Sequence, residues 1–268
     1  MLLIRLTLLV LMLASLPITE ARADGSSVVV RYDPADGSVV IDLLGKTKMD
    51  LPNIALPSWL TQEEDTSAIR FMGTLPSIED EISGVAASDT GAYLFDPLHF
   101  LPGDSFSDVD DIRIEVSGAY VGVVAGELLS EEKQNGRYAA TFRLDRTVRE
   151  ADIFFGPYQI SERDLALPNG DVTLRTYLLE KDQGLAKRYL HAAGQYISQY
   201  SREIGPYPNE MFVVVSAPLP VGYAFDGLTY ISEQILSHPY MLGRSLAHEV
   251  LHNWWGSGVR VVYEEGNW

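Results

Sequence analysis

Residues 247–256 read AHEVLHNWWG and place His248, Glu249 and His252 in a His-Glu-x-x-His pattern. On a helix, residues four apart share a face with Cβ atoms about 5–6 Å apart, so both imidazoles could reach one ion at zinc–nitrogen distances of about 2.0–2.1 Å. Glu249 does not share that bond direction. It is free to take a proton from a zinc-bound water, whose pKa the metal lowers toward about 7, as the water attacks a carbonyl. The expected cofactor is therefore one Zn2+ ion on His248 and His252, with Glu249 as general base and then as general acid toward a leaving amine. Two ordinary helix histidines are the plain alternative. A catalytic zinc takes three protein ligands and a water, so the pattern also raises the question of a third ligand. Glu264 and Glu265 are the only acids after the motif, and both read better as a turn beside the site.

A helix has to hold this pattern in place. GRSLAHEVLHNWWG has Leu246, Val250, Leu251 and Trp254 as its apolar positions, and Gly256 stands where such a helix would end. Trp254 and Trp255 read as packing anchors, because a metal-bearing helix must be fixed by its neighbours. Upstream, GLAKRYLHAAGQYISQYSREIG repeats apolar residues every three or four positions at Leu185, Tyr189, Ala192, Ala193, Tyr196 and Tyr200, which predicts an amphipathic helix. Gly205-Pro206-Tyr207-Pro208 would stop it. MFVVVSAPL reads as a buried strand. VGYAFDGLTYIS reads as a glycine-bounded loop entering another strand, in which Tyr230 packs. His99, His191 and His238 lie apart from the motif and read as structural.

From Ser26 to about Leu179 the chain is a series of short β-branched and aromatic runs, among them VVVRY, SVVIDLL, IRIEVSG and VTLRTYLL. Turn signals separate many of them, as at Asp33-Pro34-Ala35-Asp36-Gly37 and Gln134-Asn135-Gly136. This predicts an antiparallel β domain. The stretch from about Phe95 to Asp111 breaks the pattern and reads as a loop, without the residue spacing of a calcium loop. The expected class is α+β, with residues 24–180 as the β domain and residues 181–268 as the start of a second domain.

The 268 residues are 46% hydrophobic, enough for a real core. A net charge of −17 with no cluster of Lys and Arg argues against nucleic acid or anionic lipid as a partner. The absence of cysteine excludes disulfides, a Cys-ligated zinc and a Cys nucleophile. No G-x-S-x-G elbow, phosphate loop, dinucleotide fingerprint or internal repeat occurs. Arg5, the apolar run from Leu6 to about Leu16 and the Ala21-Arg22-Ala23 site predict a cleaved signal peptide over residues 1–23, and so export to the periplasm or medium. No later apolar run is long enough to span a bilayer.

HEVLHNWWG resembles the zinc helix of the M1 family of metallopeptidases, the gluzincin aminopeptidases. GRYAATFRLDRTVREADIFFGPYQISE is similar to the end of that family's N-terminal β-saddle domain. VTLRTYLL, the helix from Leu185 and IGPYPNEMFVVVSAP are similar to its passage into a thermolysin-like catalytic domain. The resemblance implies zinc-dependent hydrolysis of peptide substrates. It also implies a third ligand, a Glu about eighteen or nineteen residues past His252, which falls beyond Trp268, as would an oxyanion-stabilising tyrosine. The chain therefore reads as a C-terminally truncated fragment.

Family aminopeptidases carry a Gly-x-Met-Glu-Asn loop whose Glu holds the substrate α-amine. Here the stretch is GYAFDGLTY, which keeps Gly222 and the Gly-Leu-x-Tyr ending but not the Met-Glu-Asn. Asp226 could take the amine, or could be a turn aspartate before Gly227. The backbone of Gly222, Tyr223 and Ala224 could still pair with an extended peptide. The departure leaves two readings: a peptidase without assured exopeptidase specificity, or a non-catalytic M1-like protein that binds peptides or proteins. The intact Glu249 favours the first.

Overall fold

The computed structural model describes residues 26–45, 56–64, 69–80, 84–95, 109–144, 152–219 and 222–256. The expected signal peptide, His99, Glu264 and Glu265 lie outside them, as does most of the stretch read as a loop after Phe95. In chain order the strands are β1 (Ser26–Asp33), β2 (Ser38–Leu44), β3 (Leu60–Glu64), β4 (Ile69–Thr74), β5 (Val85–Ser88), β6 (Gly91–Leu94), β7 (Val109–Ser117) and β8 (Val121–Val124). They continue with β9 (Glu127–Gln134), β10 (Arg137–Arg143), β11 (Ile153–Gly156), β12 (Tyr158–Leu165), β13 (Val172–Leu179), β14 (Met211–Ala217), β15 (Tyr223–Phe225) and β16 (Leu228–Ser232). Two helices are described, α1 (Ala186–Glu203) and α2 (Leu246–Leu251). The architecture is α+β.

Three sheets form, ordered β3-β4-β2-β1-β7-β10-β9, β5-β6-β11-β8 and β12-β13-β14-β16-β15. The expected turns close their hairpins. Asp33 Oδ1 accepts from the Ala35 amide and Asp36 Oδ1 from the Ser38 amide before Gly37 at φ 73°. Asn135 and Gly136 both adopt positive φ, 53° and 73°, as a two-residue hairpin requires. The first sheet is antiparallel at every pair but one, since β1 and β7 run parallel with Val30 opposite Ile114. At this centre β1 buries Val28, Val29 and Val30 on both faces, the continuous apolar run that a doubly covered strand needs.

The second sheet is buried along β6, β8 and β11 and packs on the first, with Phe155 stacked on Tyr32 at 5.1 Å. The third sheet divides its side chains by strand alternation. Val213, Val215 and Tyr230 face the β-rich core, while Phe212, Val214 and Ile231 face the helices. β13 precedes residue 180 yet pairs with β14, which follows it, and β12 joins the same sheet through β13, so the boundary expected at 180 falls inside this sheet. A 3-10 turn over Glu180–Leu185 leads into α1, whose buried stripe is Ala186, Tyr189, Leu190, Ala193, Gly194 and Ile197. No helix among the described residues is long and apolar enough to cross a membrane.

Candidate metal centre

The histidine helix is short and is fixed from both ends. A π-helical turn over Met241–Ser245 precedes α2, and turns continue it as far as Gly256. Leu246, Val250 and Trp254, spaced by four, are buried against the helix-side core. Trp254 packs edge-on against Tyr200 and Tyr207, and its Nε1 donates to the Gly205 and Pro206 carbonyls at 3.1 Å. Two α1 tyrosines hold the approach to this helix: the Tyr189 hydroxyl donates to the Leu236 carbonyl and the Tyr196 hydroxyl to the Leu242 carbonyl, each at 2.7 Å. Trp255 departs from the expected anchoring role. Its side chain is exposed, because the apolar spacing that buries Trp254 turns its neighbour outward.

On the open side of α2 the rings of His248 and His252 meet at a centroid distance of 4.6 Å and an angle of 82°. Their Nε2 atoms stand 3.1 Å apart. His252 Nδ1 lies 3.0 Å from the Trp255 carbonyl. A carbonyl oxygen only accepts, so this contact needs the proton on Nδ1, the tautomer that in a neutral ring turns the Nε2 lone pair toward His248. Two nitrogens bound tetrahedrally at about 2.0–2.1 Å from zinc would lie about 3.3 Å apart. The pair is therefore close to the spacing that one shared cation requires. A backbone carbonyl that fixes the distal nitrogen is also the usual partner of a ligating imidazole. Glu249, half-buried beside the pair, has its carboxyl pushed above the ordinary range by burial, against the opposing pull of His248 and His252.

Among the described residues no group of three His, Cys, Asp or Glu side chains surrounds one point. His191 is exposed on α1, and His238 stacks on Tyr240 at 5.5 Å. Tyr230 is buried against Phe95 and Phe154 at ring distances of 5.3 and 5.4 Å, which meets the packing expectation.

The stretch from Gly222 to Asp226 lies next to the helix. β15 packs against α2 and forms the last strand of its sheet, pairing with β16 on one side only among the described residues. Gly222 and Tyr223 are exposed and Ala224 is half-buried, so the outer edge of this strand faces outward. Asp226 occupies the β15–β16 turn before Gly227 at φ 69°, and its Oδ1 accepts from Asn209 Nδ2 at 2.8 Å. That is the placement of a turn aspartate.

The sequence reading passed over Asn253, a buried side chain bonded to Tyr207, Asn209 and Gly227. Its only sequence signal is a polar residue within an otherwise apolar helix end.

No family model and no curated protein matches this sequence. Solved structures do match the fold. A two-domain M1 zinc metallopeptidase variant bound to L-arginine aligns at a TM-score of 0.55 and 15% identity, over 88% of this chain and 64% of that one. The M1 zinc metallopeptidase from Deinococcus radiodurans aligns at 0.55 and 17%, over 87% and 63%. A variant of that enzyme bound to a Tyr-Ser-Ala substrate aligns at 0.54 and 16%, over 87% and 64%. At such identities the likeness is one of fold. The chain spans slightly less than two thirds of the length of these proteins.

Proposed function

We propose that this chain carries the water-activating residues of a zinc-dependent peptidase site of the M1 type. The observation that carries the reading is the His248–His252 pair, with facing Nε2 atoms 3.1 Å apart and the His252 tautomer set by the Trp255 carbonyl. The M1-like fold supports it. A zinc ion held there by both imidazoles would supply a Lewis acid to polarise the scissile carbonyl and would acidify the attacking water. Glu249, half-buried beside the pair, would accept the proton of that water and return it to the leaving amine. The outer edge of β15, unpaired among the described residues, pairs with an extended peptide through main-chain hydrogen bonds and orients the bond to be cut. With Asp226 bonded to Asn209 inside its turn, the reading relies on backbone pairing at residues 222–224 and not on Asp226 as an amine anchor. The Ala21-Arg22-Ala23 pattern supports an exported protein.

The test is peptide hydrolysis by the full-length protein, with zinc content measured alongside. Zinc-dependent cleavage that disappears in Glu249→Ala while zinc stays bound is the expected result. Bound zinc with no cleavage of any peptide would overturn the reading in favour of an M1-like peptide-binding protein.

A further inference from the structure

One buried side chain joins the last turn of the histidine helix to the β15–β16 hairpin. Asn253 follows His252 directly and has no exposed surface. Its Oδ1 accepts from the Gly227 amide at 2.9 Å, from Asn209 Nδ2 at 3.0 Å and from the Tyr207 hydroxyl at 3.1 Å, whose one proton it shares with the Met211 carbonyl at 3.3 Å. Its Nδ2 donates to the Val250 carbonyl at 3.0 Å, a helix-end acceptor that also takes the Asn253 amide at 3.2 Å. An amide oxygen has two lone pairs, so three donors leave it no capacity for solvent. Asn209 uses its Nδ2 a second time, on Asp226 Oδ1, and carries the network onto the hairpin's own turn.

The element so held is weak by itself. β15 has three residues and pairs on one side only among the described residues. Strands that short depend on outside contacts for their placement. Asparagine is the residue type that serves both ends, because one side of its amide accepts from the hairpin while the other donates to the helix. Aspartate would keep the acceptor but set a second oxygen against the Val250 carbonyl and a charge near Asp226.

We propose that Asn253 is the positioning residue of the site: it locks the β15–β16 turn to the helix turn that carries His252, so that a peptide lying along the outer edge of β15 is held at a fixed offset from the histidine pair. The substrate half of this proposal rests on the peptidase reading. The structural half does not.

Asn253→Asp in the full-length protein tests both halves, with Tyr207→Phe as a milder variant that removes one donor and leaves the asparagine in place. Amide exchange is the first readout: Asn253→Asp should speed exchange at Gly227 and β15 by about tenfold and Tyr207→Phe by about threefold, with α1 unchanged. The second is kinetic: on a peptide long enough to lie along β15, kcat/KM should fall by about tenfold, chiefly through KM. Zinc should stay bound, and turnover of a single-residue chromogenic amide should fall much less than that of the long peptide. Unchanged exchange at Gly227 in both variants would overturn the proposal, as would equal losses on the long and short substrates. A wild-type protein without hydrolytic activity would sink the peptidase reading, and the exchange result would then decide the structural claim alone.

Discussion

His252 is oriented by the chain that follows it, since its Nδ1 proton is held by the Trp255 carbonyl and Gly256 lies beside the ring. A Cβ at Gly256 would stand 2.9 Å from His252 Nδ1, at φ 111° where L residues are strained. Gly256→Ala should therefore turn the ring off its carbonyl and lower zinc affinity by roughly 10- to 100-fold, measurable by competition with a chromogenic chelator. Affinity equal to wild type would mean that this carbonyl does not orient the ligand. At this scale the sequence was most legible where chemistry is local. His248, Glu249 and His252 follow from a spacing of four. Asn253 does not, because its partners Tyr207, Asn209 and Gly227 lie 46, 44 and 26 positions away, and only the folded chain brings them together. Asp226 had two readings in sequence, and its bond to Asn209 places it in the turn.

The elements that bring these residues together differ in how plainly the sequence announces them. α1 was readable because one face must be apolar over its whole length. β14 was readable because both of its faces are buried. The parallel pairing of β1 with β7 was not, since alternation reports which face is buried and says nothing of strand direction. The π-helical turn before α2 had no signal either. The pattern changes from strands to a helix at residue 180, yet β13 pairs with β14 across that point and brings β12 with it. The β15–β16 turn depends on one glycine. Gly227 has φ 69°, and a Cβ there would meet the Met211 carbonyl at 3.1 Å. Gly227→Ala should cost about 1–2 kcal/mol in denaturant unfolding, and the same strain should raise KM for long peptides.

Over the whole molecule, charge is balanced inside a strongly acidic chain by a few well-placed arginines. Arg175, nearly buried on β13, bonds Glu131 on β9 at 2.6 Å and so ties the first sheet to the third. On the first sheet, buried Asp42 accepts from both Arg31 and Arg70. Burial acts to raise the Asp42 pKa, but hydrogen bonds and charge from Arg70 and Arg31 together outweigh it and hold the carboxyl below its ordinary value. A folded pKa below the unfolded one adds stability that is present above about pH 4 and is lost as pH falls through the folded value. Asp42→Asn should thus cost about 3 kcal/mol at pH 7 in urea unfolding, and progressively less as the pH is lowered below about 4; a cost that does not change with pH would refute the linkage. The central claim, that His248 and His252 share one zinc, is tested most directly by zinc-edge X-ray absorption on the full-length protein. The account predicts zinc with nitrogen or oxygen neighbours at about 2.0–2.1 Å and outer-shell scattering from two imidazoles, falling to one in His252→Ala. Failure to bind zinc, or a spectrum unchanged by His252→Ala, would contradict it.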